Sequence, residues 1–122
     1  MSLITGQIDK LIKDKISYQD STLTTQIKFD KKFIGFIGHF PGNPILPGVI
    51  IINVMMRMYE LYNNKKHNLS QIKQAKFIEP VSADTIVSFF IKSDNLEDSI
   101  KLTGKVTKKE KIVSKVSLVL QN

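Results

Sequence analysis

The sequence contains no cysteine and no tryptophan, a single arginine and only two histidines. Without thiols there is no disulfide framework and no thiolate nucleophile. His39 and His67, far apart and unaccompanied by cysteine, make a poor ligand set, so no metal is expected. The longest apolar stretch, Pro44 to Met56, is interrupted by Pro47, Gly48 and Asn53, whereas a bilayer span needs about 20 residues. The opening MSLITGQIDK carries Asp9 and lacks a basic-then-apolar leader pattern, which predicts a cytoplasmic protein. The shortage of arginine and tryptophan also argues against a nucleic-acid partner, since such proteins rely on guanidinium forks and stacked aromatics.

What is present fits one globular domain over residues 1–122. Apolar residues make up 42% and charged residues 24%, which excludes disordered and fibrous classes. The net charge is +7, and seventeen of the eighteen basic residues are lysine. Such a surface attracts polyanions such as an acidic carrier protein, though a merely solvated lysine-rich surface has the same composition.

Three of four prolines and four of six glycines fall between residues 35 and 48, so the domain has one conformationally restricted loop. Ahead of it, Lys15 to Phe29 alternates and is rich in Thr and Ile, predicting one or two strands with a turn near Gln19-Asp20-Ser21. After it, Pro47 to Asn63 reads as a helix, with Pro47 suited to the first turn and apolar residues around almost the whole circumference. Gln71 to Ile78, Thr85 to Lys92, Ile100 to Thr107 and Ile112 to Leu120 read as strands. Ser93 to Ser99 and Lys108 to Lys111 read as hairpin turns. The plan is α+β, a sheet wrapped around one long apolar helix. Pairing an exposed sheet edge with a second copy would extend the sheet, so a homodimer or a higher assembly is expected.

The loop Gly38-His39-Phe40-Pro41-Gly42-Asn43-Pro44-Ile45-Leu46-Pro47-Gly48-Val49 carries the chemistry. Prolines restrict the backbone around His39. The loop runs into a helix N-terminus whose free N–H groups, near Gly48 and Val49, point outward. Glycine at 48 would let a ligand oxygen approach those donors. An imidazole beside such donors and apolar walls suits proton abstraction next to a polarised carbonyl. His67, in a polar Lys-Lys-His-Asn stretch, reads as structural or solvent-facing.

This run, His-Phe-Pro-Gly-x-Pro-x-x-Pro-Gly-Val followed by an apolar helix, resembles the signature of the hot-dog-fold 3-hydroxyacyl-[acyl-carrier-protein] dehydratases, including dehydratase-like proteins of aryl-polyene pathways. Looser similarity covers most of the chain, including Phe77-Ile78-Glu79-Pro80-Val81 followed by Asp84. The resemblance implies a hot-dog fold, a curved antiparallel sheet around the long helix, and active-site tunnels at a dimer interface. It implies a lyase of fatty-acid or related acyl-chain biosynthesis that eliminates water from a 3-hydroxyacyl thioester to give the trans-2-enoyl thioester. No cofactor of the protein's own is implied, the substrate being carried on the phosphopantetheine of an acyl-carrier protein or on CoA. By the same resemblance His39 is the base at C2. Gly48, with Val49 beside it, offers N–H to the thioester carbonyl, and Ile45 offers the carbonyl that orients the imidazole. Phe40 and Phe89 are placed near an acyl tunnel without individual roles. Lys31 and Lys32 are candidate docking residues for an acidic carrier.

The sequence departs from the family at two positions. Where the family has a catalytic Glu or Asp, fourteen residues after the histidine and contributed by the partner's helix, this chain has Asn53. Four positions further, where the family usually has Gln, stands Arg57, a candidate substrate-binding residue. An amide can hydrogen-bond a departing hydroxyl but cannot protonate it. Asn53, Arg57 and Glu60 form one polar stripe at i, i+4, i+7, for which an Arg57–Glu60 pair is the plainer explanation. Three readings stay open. The first, preferred here, is a dehydratase in which His39 handles the proton and Asn53 positions the hydroxyl. The second is an acyl-thioesterase of the same fold. The third is a non-catalytic acyl-thioester or acyl-carrier binding subunit.

Overall fold

Alternation and turn chemistry build the sheet. Thr22 to Lys28 alternates inward and outward residues and is entered through Asp20 and Ser21, both at positive φ (52° and 61°). A two-residue turn of this hand matches the twist of a hairpin. Lys109 and Glu110, at φ 50° and 68°, repeat the device further along. A computed structural model of the chain describes residues 3–36 and 44–121. Expectations placed on residues 37–43, those for His39 and Phe40 included, lie outside the described residues.

Helix α1 (Leu3–Ile12) leads into strands β1 (Ser17–Gln19) and β2 (Thr22–Lys28), then a 3-10 turn (Ile34–Phe36) and helix α2 (Gly48–Asn63). Strands β3 (Asn68–Phe77), β4 (Ile86–Asn95), β5 (Ser99–Lys108) and β6 (Lys111–Gln121) complete the chain. The six strands form one antiparallel sheet in the order β1-β2-β4-β5-β6-β3. Its inner face, with Phe89, Ile91, Leu102, Val106, Leu118 and Leu120 buried, packs on α2 residues Ile51, Val54, Met55 and Met58. Burying a side chain of this size contributes roughly 1.5–3 kcal/mol, so the helix–sheet interface is the main stabilising surface.

Three expectations need correction. The sequence reading missed α1, an amphipathic helix whose Ile8 and Ile12 are fully buried. Helix α2 is less enclosed than its composition suggests: Val49 and Tyr62 are exposed, and Asn53, Met56 and Arg57 are half-buried. The strands β4 and β5 run further than their apolar alternation, leaving only Leu96 to Asp98 as the turn, closed by Leu96 N–H to Ser99 O at 2.8 Å.

Edge strand β3 is exposed along all ten residues, although Leu69, Ile72 and Phe77 align with inward-facing Leu120, Leu118 and Ser114 of β6. The inner face of the sheet therefore continues past the helix as an uncovered apolar strip. Helix α2 ends at Asn64, which adopts a left-handed conformation (φ 54°) and donates its N–H to Glu60 O, a common helix stop.

Candidate active site

The segment that bears His39 is tethered at both described ends. Upstream, Phe29, Phe33 and Phe36 pack in series, tilted and then edge-on, with ring centroids 4.9 and 5.9 Å apart, and Gln7 of α1 accepts the Ile34 N–H at 2.8 Å. Downstream, Ile45 forms an antiparallel bridge with Ser82, and Leu46 N–H donates to Val81 O at 2.7 Å. Pro47 then starts α2 from an extended conformation (ψ 146°) and has no N–H to satisfy.

Past Pro47, the amides of Gly48 and Val49 have no acceptor among the described residues, while Ile50 N–H closes on Pro47 O at 3.0 Å. This is the free-donor end of a sixteen-residue helix. Glycine at this position also has a packing reason. A Cβ on residue 48 would lie 2.5 Å from Cζ of Phe77, so the space of the absent side chain is held by the Phe77 ring. Beside this contact lies a cavity of about 390 Å³, lined by Ile45, Leu46, Pro47, Gly48, Ile51 and Phe77 among others. Glu79 stands on its wall, paired with Lys111 and Lys108. The hydrogen bond from Lys111 holds this carboxyl below the usual carboxylate range, which suits it poorly to donating a proton.

Asn53 lines a different cleft, of about 250 Å³, with Thr5, Met56, Arg57, Glu60 and Lys66. Arg57 is braced there. Its Nε and Nη2 donate to both carboxylate oxygens of Asp9 at 2.8 Å, and Nη1 donates to Glu60 at 3.0 Å. The hydrogen bond to Asp9 raises the guanidinium above its already high range. The second oxygen of Glu60 accepts the His67 N–H at 2.8 Å. Arg57 is thus a strut joining α1 to α2, and Glu60, 8% exposed, joins α2 to the start of β3. His67 adds an Nδ1 contact to Gln121 O at 3.1 Å and packs on Tyr59.

One chain therefore brings Ile45 and Gly48 together, and separately Asn53 and Arg57; the two pairs line different clefts. Sequence reasoning missed Asp9, whose i, i+4, i+7, i+8 apolar neighbours Ile4, Ile8, Leu11 and Ile12 mark an amphipathic helix.

The ApeI-like family model (ApeI dehydratase) matches residues 15–116. The chain belongs to the ApeI-like dehydratase family. A curated relative, the 3-hydroxyacyl-[acyl-carrier-protein] dehydratase FabZ of Levilactobacillus brevis, is 29% identical over 123 aligned residues, covering 89% of this chain and 82% of its own. Among solved structures, a chain of the dehydratase heterocomplex ApeI:P from Xenorhabdus doucetiae superposes with a TM-score of 0.71 at 22% identity, over 85% of this chain and 90% of that one. A hypothetical thioesterase with coenzyme A from Streptococcus pneumoniae superposes at 0.67 and 12% identity, over 87% of this chain and 82% of its own. These likenesses establish the hot-dog fold for this ApeI-like chain. Among the described residues no helix is long and apolar enough to cross a membrane, and no cluster of His, Asp and Glu could hold a metal.

Proposed function

We propose that the chain eliminates water from a 3-hydroxyacyl thioester carried on a phosphopantetheine arm, in fatty-acid or related acyl-chain synthesis. The observation that carries this reading is the pair of free amides at Gly48 and Val49, at the mouth of an apolar cavity and nine residues after His39 in an ApeI-like dehydratase. The Gly48 N–H holds the thioester carbonyl and stabilises the negative charge that develops when a proton leaves C2. His39, its ring oriented by the Ile45 carbonyl, takes that proton. The C3–O bond then breaks, and the imidazolium returns the proton to the departing hydroxyl, giving the enoyl thioester and water. Asn53 hydrogen-bonds the hydroxyl without titrating.

Because Asn53 and Gly48 line separate clefts of one chain, the reading requires a second subunit. The uncovered strip of β3, with Leu69, Ile72 and Phe77, is the surface proposed for that pairing. Exposed Lys31 and Lys32 are proposed to receive the acidic carrier, in which case docking weakens with salt.

A second reading is favoured by Asn53 itself: the chain is the acyl-binding member of a complex in which another subunit supplies the carboxylic acid. The neighbour from Xenorhabdus doucetiae is part of a dehydratase heterocomplex. One experiment separates the readings. Purified protein is mixed with a 3-hydroxyacyl pantetheine thioester, and enoyl absorbance and free thiol are followed together. Enoyl formation abolished by His39→Ala supports the dehydratase. Thiol release alone indicates a thioesterase, and binding with neither signal indicates the acyl-binding subunit.

A further inference from the structure

A buried hydroxyl stands next to the Gly48 cavity without a partner. Ser114 is 0% exposed, and its Oγ has no hydrogen-bond partner among the described residues. It occupies the inner face of β6, flanked across the strands by Val106 and Phe77. Ile51 and Leu46 line the same cavity, and Glu79 on its wall is engaged by Lys111 and Lys108, so the hydroxyl stays unpaired. Leaving such a group unpaired destabilises a fold, whereas alanine would fill the position at no such cost. Two features thus converge on one space: the free donors at the α2 N-terminus and an orphan hydroxyl at the β6 position opposite Phe77.

We propose that Ser114 is a specificity residue for the acyl group, hydrogen-bonding an oxygen carried along the chain once the thioester carbonyl sits on the Gly48 amide. This rests on the functional reading above and narrows it: the preferred substrate has an acyl chain with a hydrogen-bonding substituent rather than a plain hydrocarbon. Ser114 supplies either a donor or an acceptor, so a hydroxyl or a ketone on the chain would satisfy it.

The test uses pantetheine amides of one chain length as stable thioester mimics, either unsubstituted or bearing one hydroxyl at successive carbons, with binding measured by calorimetry. The wild type should prefer one hydroxylated isomer over the plain chain by roughly fivefold or more, the yield of one neutral hydrogen bond. Ser114→Ala and Ser114→Cys, the latter close in size but a weak donor, should both lose that preference and bind the plain chain as well as before. Their melting temperatures without ligand should equal or exceed that of the wild type. Equal affinities across the series in the wild type, or a preference that survives both variants, overturns the role of Ser114. So does a large loss of stability in Ser114→Ala, because it would reveal a partner already present in the free protein. Failure of the wild type to bind any pantetheine amide would sink the functional reading itself.

Discussion

Replacing Asn53 by glutamate tests whether the departure from a carboxylic acid limits the chemistry. The electrostatics of the cleft decide whether such a group could act as an acid. Arg57 is shared between Asp9 and Glu60, and Lys66 lines the same cleft. Arg57 is already engaged by two carboxylates, so a third at residue 53 gains little from it. Its half-buried position favours the neutral, proton-donating form. A positioned general acid contributes about 10²–10⁴-fold, or ~3–5 kcal/mol of barrier. Asn53→Glu should therefore raise the rate of enoyl formation at least about a hundredfold. It should also add an alkaline limb to the pH–rate profile, because the acid works only while protonated. Asn53→Gln matches the added length without titrating and should give neither effect. Stopped-flow absorbance on a 3-hydroxyacyl pantetheine thioester reads both variants. If Asn53→Glu folds normally, assembles normally and turns over no faster than Asn53→Gln, the missing carboxyl is not the limiting defect, and the argument that a general acid is wanting at residue 53 has to be rejected.

Three further outcomes are expected. Arg57→Met strands Asp9 and Glu60 and should cost about 1–3 kcal/mol in urea unfolding, between an exposed pair and a broken buried one because Asp9 is partly solvated. The guanidinium is shifted upward, so its contribution is fully present below the ordinary arginine range. The wild-type minus variant difference should therefore not change with pH on that account through neutrality. Gly48→Ala drives a Cβ into Phe77 and should destabilise by about 1–3 kcal/mol. In a Phe77→Ala background the same change should be neutral or slightly favourable, since alanine is the better helix former by up to ~1 kcal/mol. A thermal-melt double-mutant cycle without such coupling would refute the packing argument. Finally, Leu69→Lys with Ile72→Lys should convert the proposed dimer into a folded monomer in sedimentation velocity and abolish turnover. An unchanged sedimentation coefficient would remove β3 from the interface.

The sheet was legible because inward-facing positions of β2, β4, β5 and β6 alternate and their turns carry Asp20-Ser21 and Lys109-Glu110. Helix α2 was legible from Pro47 and from its density of Ile, Val and Met. Composition could not show which side of that helix stays open, because Val49 and Met56 are as apolar as their buried neighbours. Strand β3 was read from its apolar residues, but its exposure could not be, since that depends on lying at the sheet edge beyond the helix. The N-terminal helix was missed although its period is plain, because it is only ten residues long, has Gly6 in its interior and carries no acidic residue in its first turn.

The candidate site was legible in part for a different reason. A loop motif is local, so the run from His39 to Gly48 can be read one residue after another. The distances that turn residues into a site are not local, and here they do not close within one chain. Ile45 and Gly48 open onto the cavity between α2 and the β3 end of the sheet, while Asn53, on the same helix, opens onto the cleft beneath α1. Residues 48 and 53 are separated by about 7.5 Å along a helix axis at 1.5 Å per residue, yet they point to different spaces. A rigid helix cannot turn one toward the other without breaking the Arg57 brace to Asp9 and Glu60. If both groups act on one substrate, Asn53 must reach it from another subunit. The uncovered apolar strip along β3 is where the fold leaves room for that subunit to dock.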